Sequence, residues 1–475
     1  MPLDQRVLGG DNMNGNILIT GAKMVLPNST IVGDLRIKDG IISEISTEEQ
    51  LLPNDDEVVY DATGKYLLPG GIDPQVHFRE PGQEFKECLQ SGSAAAASGG
   101  ITSFLDMPNN KPAATTLDSI NAKIESADKK CITNFGFFIG ATPDNLEELQ
   151  KAVGHPGKGI SHPGICGIKI FMGSSTGDLL VHEIAHLENI FSNTAGLIAV
   201  HAEDENRLNE RFELVKDRTD IAAHAIWRDD ITALNATQLA VGMAKKTNHR
   251  LHVLHLTSGI EADYLSELTD EERQYITTET LPQHLTFDET DVDAQGTRLK
   301  MNPPIRYSAD RETLWNRLHD GTIVCIATDH APHTLEDKQK GWPSSSSGMP
   351  GVETSMPVML THAKNGKCTI EQVAKWMSTN VAEAYKMIGK GSLEVGKDGD
   401  VVVVDMETSI RVNDDNSWAR VKWNPFHGRD LVGWANLTVV AGVPVFARNE
   451  ETGPKGKCLV EPGTVGKPLM MMPWN

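Results

Sequence analysis

Positive charge is what this chain has least of. Its 475 residues carry 44 Lys and Arg against 65 Asp and Glu, a formal net charge of -21. Nucleic acids and anionic membrane surfaces are gripped by clustered basic residues, so neither is expected as a partner. An acidic substrate would gain nothing from long-range steering and would have to be captured by local positive charge. Cysteine is sparse too. Cys88, Cys131, Cys166, Cys325, Cys368 and Cys458 are scattered, with no Cys-x-x-Cys pair, which excludes a disulfide framework and leads to the expectation of reduced, mostly buried thiols. No apolar run approaches the ~18 to 20 residues of a membrane span. Met1 to Asn16 is polar and lacks the apolar core of a signal segment, so a cytoplasmic enzyme is expected. The one low-complexity tract, Ser344 to Ser347, lies between Lys340-Gly-Trp-Pro343 and Gly348-Met-Pro-Gly351 and reads as a mobile loop.

What is there is alternation. Short apolar, β-rich runs recur at Tyr66 to Asp73, Ile101 to Asp106, Thr133 to Gly140, Ile165 to Phe171, Leu197 to His201, Leu251 to Leu256, Tyr275 to Glu279 and Thr322 to Thr328. Helix-like stretches separate them at Lys86 to Ser98, Asn145 to Val153, Leu179 to Ser192, Asp229 to Lys246 and Arg311 to His319. Strand and helix in turn indicate parallel βα units, and this number of them fits a closed (β/α)₈ barrel, with an open doubly wound sheet as the alternative. The flanks read as short antiparallel strands, with a turn at Lys38-Asp39-Gly40. The expected layout is an α/β barrel over residues 66–390, with 1–65 and 391–475 combining into one composite β domain.

The polar candidates fall at the carboxyl ends of those runs. His77 follows the first, Asn109 the second, Lys169 lies in the fourth, His201 ends the fifth, His255 ends the sixth and Asp329 follows the eighth. In a βα barrel these ends converge on the face where active sites are built. Three histidines and an aspartate suit Zn²⁺ or a similar ion. A lone histidine is more often structural, so the shared location is what raises these three together. His252 competes with His255. Residues three apart on a strand face opposite sides, so one of the two is expected to turn toward the helices. His77 and Arg79 share a side of the extended chain with Gln75, which would set a metal ligand beside a guanidinium able to hold an anion. Lys169, between Ile168 and Ile170, should be buried, and burial favours its neutral amine.

Gly71-Ile-Asp-Pro-Gln-Val-His-Phe-Arg-Glu-Pro-Gly82 resembles the first metal-binding motif of dihydroorotases, in the cyclic amidohydrolase group, where Asp-x-His-x-His-x-Arg-x-Pro-Gly is expected. Asp106-Met-Pro-Asn109, Leu251-His-Val-Leu-His-Leu-Thr-Ser258, Asn302-Pro-Pro-Ile-Arg306, Asp329-His-Ala-Pro-His333 and Gly348-Met-Pro-Gly-Val-Glu-Thr354 extend the resemblance in order. It implies a barrel with a discontinuous β-sandwich from both termini, and one or two Zn²⁺ ions bridged by a carbamate on Lys169. His77, His201, His255 and Asp329 would be the other ligands, and the resemblance selects His255 over His252. It further implies that Asp329 relays a proton, and that Arg79, Asn109, Asn302 and His333 hold a small anionic substrate. A homo-oligomer and an aspartate transcarbamoylase partner belong to the same expectation.

The chain departs from the motif at Gln75, which stands where the first histidine belongs, and Gln283 precedes His284 where paired histidines are usual. An amide oxygen is a poor zinc donor beside imidazole, so a weakened α-metal site is expected. Reversible hydrolysis of dihydroorotate to N-carbamoyl-aspartate, in pyrimidine synthesis, is the expected reaction. Hydrolysis of another cyclic amide, such as allantoin or a hydantoin, is the second reading. A degenerate, non-catalytic dihydroorotase-like scaffold, with Gln75 as its mark and an aspartate transcarbamoylase as the partner it supports, is the third.

Overall fold

The computed structural model describes residues 14–175 and 179–473. Most of the polar start, Met1 to Met13, lies outside the described residues. Two hydrogen-bonded sheets organise the rest. The first has nine strands and joins both ends of the chain, in the order Lys457–Cys458, Val443–Ala447, Trp434–Val440, Val401–Asp405, Tyr66–Pro69, Ile17–Leu26, Ser29–Lys38 and Ile41–Ser46, with Val58–Asp61 also paired to Ile17–Leu26. Alternate residues Ile17, Ile19, Leu35, Ile37, Val401, Val403, Leu437 and Val439 form its core, as the period of two requires. The expected turn is a two-residue one, with Asp39 and Gly40 at φ 51° and 79°, the left-handed pair that matches strand twist.

The second sheet is the barrel. Gly71–Val76, Ile101–Asp106, Asn134–Gly140, Ile165–Phe171, Leu197–His201, Arg250–Val253, Ile276–Thr280 and Cys325–Ile326 run parallel, each paired to the next. The last strand is only two residues long. Closure is completed beyond it by His330, which bridges Val76 and accepts from the His77 amide at 2.8 Å. Asp73 adds a clamp across the same seam, taking the Thr328 amide at 3.1 Å and its hydroxyl at 2.5 Å. Outward residues such as Phe104, Phe137, Ile170, Val200 and Val253 pack with Ala95, Ala240 and Leu314 of the surrounding helices. Inward residues Ile72, Leu105, Phe138, Cys166, Ala199 and Cys325 form a separate core with Val381, Tyr385 and Met471.

Two readings of the sequence need correction. Tyr66 to Asp73 is not one strand: Tyr66–Pro69 pairs with Val401–Asp405 in the terminal sheet, and the barrel begins at Gly71. The chain crosses between sheets at Gly70, where a Cβ would lie 2.2 Å from Thr102 Oγ1. The serine run is tied down rather than loose. Lys300 Nζ donates to the carbonyls of Pro343, at 2.8 Å, and Ser345, and Lys338 Nζ donates to those of Ser346 and Gly348, both at 2.9 Å. All six cysteines are free and four are buried. Among the described residues no helix is long and apolar enough to cross a membrane.

Candidate active site

The carboxyl ends of the barrel strands surround a cleft of about 350 Å³, part of it open to solvent. Gln75, His77, Arg79, Asn109, Lys169, His201, His255, Asn302 and Asp329 all line it, with Phe171, Ser175, Ala331, Ser347 and Gly348 completing the wall. His333 stands directly behind Arg79, its Nε2 3.2 Å from a guanidinium nitrogen. Gly348 has φ 129°, and a Cβ there would meet the Ala331 carbonyl at 2.4 Å, so only glycine lets the serine loop approach so closely.

Three of these residues hold left-handed backbone: Arg79, His255 and Asp329, at φ 55°, 38° and 48°. For non-glycine residues such conformations cost about 1–3 kcal/mol each and persist where the surroundings over-determine them. His255 shows the consequence. Its strand ends at Val253, and the left-handed turn brings His255 into the cleft although His252 already points inward. The expectation that His252 faces the helices is therefore overturned. Its Nε2 lies 3.0 Å from Glu279 and its ring packs 5.2 Å from that of Tyr385, inside the barrel.

On one side of the cleft, Asp329 Oδ1 meets His77 Nε2 at 2.9 Å and accepts from Gln75 Nε2 at 3.2 Å. Asn109 Oδ1 holds the other His77 nitrogen at 2.6 Å. The Gln75 side-chain oxygen, Oε1, is buried and unpartnered. Gln283, which could have repacked against Gln75, instead donates to the Thr328 carbonyl at 2.6 Å.

On the other side, His201 Nδ1 faces His255 Nε2 at 3.0 Å. His201 Nε2 is held by Glu203 at 2.8 Å, and Glu203 is in turn paired with Arg228. Burial acts to raise the Glu203 carboxyl, yet Arg228 and then His201 hold it down to about 2. Glu203 and Arg228 were not picked out from the sequence. The available signal was the acid two residues past His201, in His201-Ala-Glu203. A carboxylate on one ring nitrogen fixes which nitrogen is left to bind an ion, here Nδ1.

Lys169 lies between the two sides. Its ammonium is buried with no hydrogen-bond partner, against the Phe171 ring at 4.5 Å. Burial pulls it down to about 7, opposed by Asp329 and Glu279. His255 is pushed well below the ordinary imidazole value by burial, then by His201 and Lys169.

Arg79 is buried, and no carboxylate lies within salt-bridge distance of it among the described residues. Glu80 is taken by Lys130, Ser126 and the Leu89 amide, and Glu84 by the Gly82 amide. Burial lowers Arg79 to about 10, which leaves it a cation at neutral pH. Lys86 adds a second positive group 3.0 Å from His333 Nδ1. Asn302 Nδ2 reaches Ser175 Oγ at 3.3 Å, and its Oδ1 has no partner.

The donor set fits divalent metal. Lys169 Nζ, His255 Nδ1 and Gln75 Oε1 are buried polar atoms without partners, an expensive arrangement that an ion and its bridging ligand would relieve. The histidines and Asp329 do not close into a tight trio by themselves. Among the described residues the one His/Cys/Asp/Glu group with ligand atoms all within 4.8 Å of one another is His252, Glu279 and Cys325, which does not line the cleft. Lys169 shares the cleft wall with both the His77 and Asp329 pair and the His201 and His255 pair.

Known proteins resemble this chain over most of its length. Residues 66–445 match the model of the amidohydrolase family. A dihydroorotase of Methanosarcina acetivorans is 34% identical over 88% of this chain and 89% of its own length. An allantoinase of Streptomyces avermitilis is 32% identical over 93% of this chain and 98% of its own. Among solved structures, the L-hydantoinase of Arthrobacter aurescens superposes with a TM-score of 0.86 at 28% identity, covering 95% of this chain and 99% of that one.

Proposed function

Because the chain belongs to the amidohydrolase family, we propose that it is a metal-dependent cyclic amidase whose ring substrate carries a carboxylate, interconverting dihydroorotate and N-carbamoyl-aspartate in pyrimidine synthesis. The observation that carries this reading is Arg79, a buried cation lining the cleft with no carboxylate within salt-bridge distance among the described residues. A buried unpaired charge is costly, and a bound carboxylate matches its planar donors in bidentate geometry. A neutral ring such as a hydantoin would leave the guanidinium unpaired.

His201 and His255, joined by a carbamate formed from CO₂ and the Lys169 amine, would hold one ion, and His77 and Asp329 would hold another. Bound metal supplies Lewis-acid polarisation of the ring carbonyl and lowers the pKa of water. The neutral amine that carbamate formation needs is what burial provides at Lys169. Asp329 then moves the proton. His77 and Gln75 both contact Oδ1, so Oδ2 is the oxygen free to take a proton from attacking water and pass it to the departing ring nitrogen. Ring closure is the reverse: Asp329 takes the proton from the attacking nitrogen and returns it to the departing oxygen, which leaves as water. Arg79, supported by His333 and Lys86, orients the carboxylate. Asn109 and Asn302 border the ring, and the pinned serine loop screens it from solvent.

The second reading, allantoin or a hydantoin as substrate, is favoured by the allantoinase relative and the hydantoinase fold neighbour. Turnover of dihydroorotate, allantoin and hydantoin by the same metal-analysed preparation separates the two. Faster turnover of either neutral ring than of dihydroorotate would transfer the assignment. A homo-oligomer is part of the proposal, the aspartate transcarbamoylase partner belongs to the scaffold reading, and sizing the chain alone and mixed with that enzyme tests both.

A further inference from the structure

His252, Glu279 and Cys325 sit on the sixth, seventh and eighth barrel strands, fully buried, with one ligand atom from each within 4.8 Å of the others. None of them lines the active-site cleft. From this cluster we infer a second metal site, for Zn²⁺, inside the barrel and separate from the catalytic one.

The donors are imidazole nitrogen, thiolate and carboxylate, the set from which structural zinc sites are made. His252 is already oriented for the task. Its Nδ1 lies 2.8 Å from Thr277 Oγ1 and its Nε2 points at Glu279, 3.0 Å away. Moving the ring proton to Nδ1, where Thr277 accepts it, frees the Nε2 lone pair for the ion, and a partner on the far nitrogen is the usual accompaniment of a histidine ligand. Cys325 gives up its thiol proton to solvent on binding. Burial otherwise keeps that proton in place, and coordination to a divalent cation removes it. Thiolate and carboxylate together balance the double positive charge, so the loaded site adds no net charge to the barrel interior.

Two further atoms point to a ligand. Glu279 Oε1 and the Tyr385 hydroxyl are both buried without a hydrogen-bond partner. The Tyr385 ring lies 5.2 Å from that of His252, and after burial the charges acting most on its hydroxyl are Glu279 and Cys325. Tyr385 is the candidate fourth donor. The site also lies where the barrel is weakest. The eighth strand pairs with the seventh at only two positions, Glu279 with Cys325 and Thr280 with Ile326. An ion held by three successive strands would staple this seam just below Asp329. With its ligands fully buried, it would be acquired during folding rather than by exchange into the finished protein.

Full-length protein produced in Co²⁺-containing medium and then dialysed against a chelator tests the site. The expected result is a retained ion and a thiolate-to-cobalt charge-transfer band. No cysteine lines the cleft, so the band cannot come from there. Cys325→Ser should abolish the band and lose the ion, whereas His201→Ala, which disables the cleft, should keep both. Wild-type protein without the band, or a Cys325→Ser protein that retains it, overturns the inference. Should Cys325→Ser fail to fold, the wild-type spectrum and the loss or survival of the ion in His252→Gln decide it. Because the readout is the metal and its spectrum, it stands apart from whether dihydroorotate is the substrate.

Discussion

Gln75 Nε2 donates to Asp329 Oδ1 at 3.2 Å, the same carboxylate oxygen that His77 Nε2 meets at 2.9 Å. The residue that breaks the family motif therefore remains in the site, as a support for the Asp329 carboxylate. Its amide spends its nitrogen on Asp329 and leaves its oxygen, a weak zinc donor, unpartnered. Replacing it with histidine exchanges a support for a ligand.

Gln75→His should raise metal affinity. Partners that only orient a ligand typically shift affinity by about 10 to 100-fold, and a new direct ligand should do at least as much. Zinc titration of metal-free protein, with turnover followed at limiting metal, measures both. An isotherm and turnover that do not move would mean that position 75 only supports Asp329.

For Arg79 the expected change lies in substrate binding. Arg79→Lys exchanges a planar fork for a point charge, and losing a charge-assisted bond of about 1.5–3 kcal/mol corresponds to a roughly 10 to 100-fold rise in KM for dihydroorotate. Metal content should be unchanged, since Arg79 contacts none of the proposed ligands other than through the cleft. Equal KM in the two proteins would remove Arg79 from the carboxylate site.

These two positions were legible because short apolar runs marked the strands and the chemistry fell just past their ends. What the sequence could not show depends on backbone geometry outside regular structure. The alternation rule allowed only one of His252 and His255 inside, because it treats Leu251 to Leu256 as one strand, and once the resemblance selected His255 it left His252 on the helix side. The strand stops at Val253, and His255 reaches the cleft through a left-handed turn. Glu203 escaped notice although it stands two residues past His201: what singles it out is its pairing with Arg228, 25 residues on, which no local spacing encodes. The serine run looked mobile by composition, yet the lysines that pin it are remote in sequence from one another.

Glu203→Gln tests that missed pair. The substitution keeps the shape, but it removes the charge that holds His201 Nε2 and leaves Arg228 buried without its carboxylate. Breaking a buried pair in this way typically costs about 3–5 kcal/mol, and metal affinity should fall about 10 to 100-fold as His201 loses its orientation. Chemical denaturation and zinc titration read the two effects. A variant as stable and as tightly metallated as the wild type would show that Glu203 neither braces His201 nor neutralises Arg228.

Lys169 links metal binding to pH. Lys169→Ala should lose metal and activity together, and short carboxylic acids should partly restore both by standing in for the carbamate. The amine itself can be followed in metal-free protein. Burial lowers it from 10.5 to about 7 in the folded chain, so between those values the unfolded chain holds a proton that the folded one lacks. Stability rises with pH wherever the unfolded state binds more protons. The stability lost to burying the ammonium is therefore full below about pH 7 and shrinks as pH climbs toward the unfolded value of 10.5. Lys169→Met removes that burden, so the metal-free variant should exceed the metal-free wild type by an amount on the order of a few kcal/mol at neutral pH, and the gap should narrow in alkaline buffer. Denaturation of both proteins across that range measures it. A gap that stays constant with pH would mean that Lys169 does not titrate there, and the neutral amine needed for carbamate formation would have to come from something other than burial.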